Sequence, residues 1–118
     1  MAEDTATLHL AHVSLGVSNL EASEHFYRDV LQLETSRTDE DVVVRMPGFS
    51  LLLRYNPPPA RGKFHIAFYV DSPQDVDRWA QRLRDAKVQI TAGPSGEASQ
   101  RQLHFIDPDD YDIKIYVR

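Results

Sequence analysis

Two stretches of this chain pass through the same succession of patterns, and that duplication limits its fold more than any other feature. The first reads HVSLGVSNLEASEHFYRDVLQLE from His12 to Glu34, and the second HIAFYVDSPQDVDRWAQRLRDAKVQI from His65 to Ile90. Each opens with a histidine on a strand-like run, crosses a short polar break and continues as an amphipathic helix. The two histidines stand 53 positions apart, enough for a whole supersecondary unit to be repeated. A repeat of this kind sets equivalent side chains on opposite sides of a shared pocket.

Periodicity supplies the layout of each unit. Over residues 8–17 alternation puts His12, Ser14 and Gly16 on one face of a strand and Val13, Leu15 and Val17 on the other, an apolar face suited to packing on helices. Asn19 is an N-cap, and Leu20, Ser23, Phe26, Tyr27, Val30 and Leu31 follow the spacing of a helix buried on one side, running to about residue 31. Short strands fit 33–37, 41–46 and 50–56, the last two separated by the turn formers Pro47 and Gly48. The proline-rich stretch 57–63 breaks regular structure and reads as a connector. The order then restarts with a strand over 64–70. Asp71 or Ser72 caps a second helix with Pro73 in its first turn, and Val76, Trp79, Ala80 and Leu83 form its buried stripe. Strands at about 88–91, 101–106 and 112–117 complete the unit, with turns at Gly93-Pro94-Ser95-Gly96 and Asp107-Pro108-Asp109-Asp110. Asp107, Pro108 and Asp109 of that last segment read as turn chemistry, because an Asp side chain bonds nearby backbone. The expected architecture is therefore α+β: one domain over 1–118, with two βαβββ units at about 8–56 and 64–117 whose curved mixed sheets surround a shared concave pocket.

Composition removes several classes of function. At 118 residues and 42% hydrophobic the chain has material for one core. A net charge of −5 argues against nucleic acid as a partner, since displacing counterions needs a concentrated basic face. No apolar run approaches the roughly 18 to 20 residues of a membrane span, and the opening MAEDTATLHL lacks the basic start and apolar centre of a signal peptide, so a cytoplasmic protein is expected. With no cysteine, disulfides, thiolate nucleophiles and sulfur-held metals are excluded. Any metal must be held by nitrogen or oxygen.

The opening block His12–Glu34 resembles the start of the vicinal oxygen chelate superfamily, which includes glyoxalase I, extradiol dioxygenases, fosfomycin-resistance proteins and bleomycin-binding proteins. The ending FIDPDDYDIKI is similar to that superfamily's closing pattern, F-x-D-P-D-G-x-x-x-E-L. The resemblance implies that metal-containing members hold their ion with a residue on the first strand of each unit and an acid on the last strand of one or both. His12 and His65 match the first-strand positions. The acid positions fall on Lys114 and, in the first unit, on Leu52. It also implies a homodimer, the pocket being enclosed either by both units of one chain or by units exchanged between two.

A divalent site of this type needs about three protein ligands, and a two-histidine, one-carboxylate triad needs its carboxylate for charge as well as geometry. A lysine ammonium in that place repels the ion by several kcal/mol at an effective dielectric of about 20. The expected protein is thus a small-molecule binder of the glyoxalase/bleomycin resistance type that uses no cofactor, with His12, Ser14, Leu52, Arg54, His65, Tyr69, Lys114 and Tyr116 lining the site of a small organic ligand. The alternative is a metal-dependent lyase, isomerase or extradiol-type dioxygenase in which His12 and His65 hold divalent iron, manganese, zinc or nickel. Acid–base or Schiff-base chemistry by Lys114 is a third reading. No catalytic residue is assigned. His9 and His25 read as exposed, Phe26, Tyr27 and Trp79 as core, and the strand alternation leaves the face of His104 open.

Overall fold

The computed structural model describes residues 9–56 and 65–118. The connector expected at 57–63 lies outside them, as do residues 8 and 64. The chain order is β1 (His12–Val17), α1 (Leu20–His25), a π-helical turn (Phe26–Val30), β2 (Glu34–Arg37), β3 (Asp41–Met46), β4 (Phe49–Tyr55), β5 (His65–Val70), α2 (Pro73–Asp85), β6 (Ile90–Ser95), a 3-10 turn (Ala98–Gln100), β7 (Gln102–Ile106) and β8 (Asp112–Val117). The strands form two four-stranded sheets of matching order, β1-β4-β3-β2 and β5-β8-β7-β6. In each, the first strand pairs in parallel with the last strand of its unit, and the other neighbours are antiparallel. The duplicated βαβββ architecture is the one the repeat implies.

Local chemistry accounts for the helices. Asn19 Oδ1 accepts from the Ala22 amide at 3.0 Å, and Ser72 Oγ from the Asp75 amide at 3.3 Å with Pro73 opening α2, so both starts satisfy an otherwise orphaned donor. The first helix does not stay α-helical to residue 31. After His25 it widens into the π turn, where the Leu31 amide donates to the Phe26 carbonyl at 3.0 Å. The wider turn allows Phe26, Tyr27, Val30 and Leu31 all to be buried. In α2, Val76, Ala80 and Leu83 are fully buried while Trp79 is only partly so. Arg82 reaches across to the π turn, donating to the carbonyls of Val30 (2.8 Å) and Asp29 (2.9 Å).

One expected turn is instead strand. Gly93, Pro94 and Ser95 belong to β6, an edge strand whose pairing with β7 is broken by register shifts on either side of Ala92. An edge tolerates a proline because no ladder donor is missing on its outer side. Gly93 sits at φ +80°, and a Cβ there would lie 2.6 Å from the Gln102 carbonyl oxygen, so only glycine fits.

Both sheets turn their apolar faces into one core. Leu15, Val17, Val42, Val44, Leu51 and Leu53 enter it from the first sheet and Leu103, Phe105, Ile113 and Ile115 from the second, with helix residues between them. Phe26 meets Phe105 across the unit boundary with ring centroids 6.3 Å apart. A polar seam joins the units beside this contact. The Tyr27 hydroxyl donates to Asp107 Oδ2 at 2.8 Å, the Ser18 amide and hydroxyl donate to Asp109 Oδ1 at 3.0 and 2.5 Å, and the Tyr111 hydroxyl donates to the Gly16 carbonyl at 2.7 Å. Asp107 Oδ1 also accepts from the amides of Asp109 and Tyr111, at 2.8 and 3.0 Å. The segment 107–110 is therefore a turn held by its own carboxylate, as expected, but Asp107 and Asp109 are also buried at 3% exposure and tie the second unit to the first. Burial raises the Asp107 pKa, against the hydrogen bonds it accepts. It raises that of Tyr27 well above 10, with the adjacent Asp107 adding to the effect.

Candidate functional site

Because the apolar faces share one core, the opposite face of each sheet is turned outward, and the histidines of the repeat lie there. On the first sheet His12 is paired with Ser50, Ser14 with Leu52 and Gly16 with Arg54. On the second, His65 is paired with Asp112, Ala67 with Lys114 and Tyr69 with Tyr116. Position for position the two faces correspond, so Leu52 and Lys114 occupy equivalent places, each one pair beyond its unit's histidine. The third strands extend the correspondence: Val43 lies beside Leu52, and His104 beside Lys114. His104, which alternation left unplaced, thus stands on the outward face. Counting back through the β7–β8 hairpin from the Asp107–Asp110 turn was the available signal.

The two faces differ in chemistry. On the first, His12 and Ser14 are exposed. Arg54 is committed to Asp41 through paired contacts of 2.8 and 3.2 Å, which hold the Asp41 carboxyl below the ordinary range. On the second, Tyr69 and Tyr116 are 53% and 37% exposed and meet edge to face with centroids 6.4 Å apart. Lys114 Nζ sits 5.2 Å from the Tyr116 centroid, and the Arg118 guanidinium 4.9 Å from that of Tyr69. His104 Nδ1 is 3.5 Å from Asp112 Oδ1. Lys114 is partly exposed, not sealed in a dry cavity.

His12, His65 and Lys114 line none of four clefts formed by described residues. Tyr69 alone among the ligand candidates other than Arg54 reaches one, a narrow apolar cleft shared with Leu31, Leu33, Phe68, Trp79 and Ile115. His12, Ser14 and His65 are exposed. Among the described residues no three His, Asp or Glu side chains converge as a metal site. The positions corresponding to the acid ligand hold an alkyl group and an ammonium, and the ammonium stays on the outward face over Tyr116. At those two positions a two-histidine, one-carboxylate site lacks its carboxylate.

A duplicated βαβββ chain with a histidine opening the first strand of each unit defines a class of protein in which open, curved sheets present small-molecule sites. This chain belongs to the Glyoxalase/Bleomycin resistance protein/Dioxygenase superfamily, whose sequence profile matches residues 9–115. The metallothiol transferase FosB of Staphylococcus epidermidis is 30% identical over 112 residues, covering 89% of this chain and 78% of the relative. Among solved structures, a glyoxalase/dioxygenase from Nostoc punctiforme superposes with a TM-score of 0.77 at 26% identity, over 95% of this chain and 90% of that one. TnmS3, an antibiotic binding protein from Streptomyces sp. CB03234, has the same fold, with a TM-score of 0.76 at 24% identity over 96% and 98% of the two chains.

Proposed function

We propose that this protein binds a small organic ligand without a divalent metal, in a site made when the His12 face of one copy meets the His65 face of a second. The observation that carries the reading is Lys114 at the strand position equivalent to Leu52, so that neither unit offers a carboxylate there. Pairing is supported by the exposure of His12, Ser14 and His65 and by the two exposed tyrosines, since large apolar side chains left in water favour a covering partner. His12, Ser14 and Leu52 then lie opposite His65, Tyr69, Lys114 and Tyr116. These supply an apolar floor with a few polar groups that set ligand orientation. Arg54 contributes through its ion pair with Asp41. A net charge of −5 weighs against a nucleic-acid partner, and among the described residues no helix is long and apolar enough to cross a membrane. A cytoplasmic location belongs to the same reading.

A metal-dependent lyase, isomerase or dioxygenase is the second reading. It is favoured by likeness to a relative named a metallothiol transferase and by Asp112 beside His65, which would have to serve as an acid ligand from outside the family position. Metal content of the purified protein separates the two, followed by thermal-shift titration with manganese, iron(II), zinc and nickel. The first reading expects no retained ion and no shift; stoichiometric retention overturns it. Sedimentation equilibrium tests the pairing and expects a dimer.

A further inference from the structure

We infer that Lys114 takes over the charge role of the metal ion, and that the ligand is a small acid, a carboxylate or phosphonate, carrying a flat apolar group that packs on the Tyr69–Tyr116 pair. The inference rests on the metal-free reading above and specifies its ligand. A dication held by two neutral imidazoles and one carboxylate presents a net charge of about +1 to a bound oxygen. An ammonium with no carboxylate presents the same charge from the same part of the sheet. Among the described residues Lys114 has no ion-pair partner, whereas Arg54, Arg78 and Arg101 are each held by an aspartate in a chain whose net charge is −5. Its ammonium lies over the Tyr116 ring. That leaves its donors available for an oxyanion, with His65 and His104 on the same face as further donors. The tyrosines hold their rings edge to face, and their exposed surface beside the ammonium suits a planar group joined directly to the acid.

The probes are benzoate, phenylphosphonate and neutral benzamide, titrated into the full chain in EDTA and followed by amide chemical shifts and calorimetry. Both acids are expected to bind at least ten-fold more tightly than benzamide, with shifts centred on β5, β7 and β8. Lys114→Met should weaken the acids by about ten- to hundred-fold and leave benzamide unchanged. Lys114→Glu should lose the acids and acquire stabilisation by manganese, zinc or nickel, because it restores a carboxylate where the ammonium stands. Stoichiometric metal in the wild type sinks the metal-free reading itself. A metal-free wild type that does not prefer the acids over benzamide sinks only the ligand class. Equal affinity for benzoate in wild type and a folded Lys114→Met variant overturns the assignment to Lys114.

Discussion

The hydroxyl of Tyr27 offers the sharpest test of how the two halves are joined. Tyr27→Phe keeps the ring and its edge contact with Phe26, at 5.2 Å between centroids, and deletes only the bond to Asp107 Oδ2. That oxygen belongs to a residue 3% exposed, so little water is available to replace the lost donor. Removing a donor from a charged, buried acceptor costs about 1.5–3 kcal/mol. With an unfolding entropy of about 2.1 cal/mol/K per residue over 118 residues, a loss of 2 kcal/mol lowers Tm by about 8 °C. The bond favours the ionised form of Asp107, so the penalty should shrink as the solution is acidified and the carboxyl takes up a proton. Urea denaturation of both proteins at pH 7.5 and pH 5 measures this directly, and an Asp107→Asn background closes a double-mutant cycle. A difference below about 0.5 kcal/mol at neutral pH, within the usual range for a surface change, refutes the reasoning.

The remaining expectations concern the same framework. Asp107 has a raised native pKa, so the folded state binds its proton more readily than the unfolded state; its contribution to stability is complete below the ordinary carboxylate pKa of about 3.9 and is lost as pH rises through the native value. Asp107→Asn should therefore gain stability relative to wild type as pH rises across that window, and a constant difference in denaturation midpoint would contradict it. Spectrophotometric titration of the five tyrosines should find that Tyr27 ionises only when the fold opens at alkaline pH. Gly93→Ala should cost more than about 2 kcal/mol, combining left-handed backbone strain with a methyl 2.6 Å from the Gln102 carbonyl oxygen. A midpoint unchanged in urea would mean that β6 runs differently there.

Much of the fold was legible because its signals are local. Alternation located Asp41–Met46 and Asp112–Val117 at their observed ends, and the cap and proline at Ser72-Pro73 marked the start of α2. The π turn was not legible, since Phe26, Tyr27, Val30 and Leu31 satisfy α-helical spacing and only the packed core selects a wider turn. Gly93 and Pro94 misled for the opposite reason: they are strong turn formers, yet pairing to β7 keeps them in an edge strand. On the candidate site, alternation grouped His12 with Ser14, His65 with Tyr69 and Lys114 with Tyr116 on common strand faces but expected those faces to line one shared concave pocket, whereas the shared core turns them outward, and His104 needed the hairpin register. The seam was beyond reach, because Tyr27 and Asp107 are 80 positions apart and no periodicity links them.

The shared core sends the two histidine faces away from each other, and for a paired molecule this dictates an inheritance pattern. Each binding chamber would draw one wall from each subunit, so a subunit damaged at His12 and another damaged at Lys114 would, in a mixed dimer, rebuild one sound chamber and one with both walls spoiled. Because about half of the randomly reassociated dimers are mixed and each of these holds one sound chamber of two, recovery of about a quarter of the ligand-binding capacity from two inactive parents is the expected signature. A molecule whose chambers each lie within a single subunit would recover nothing.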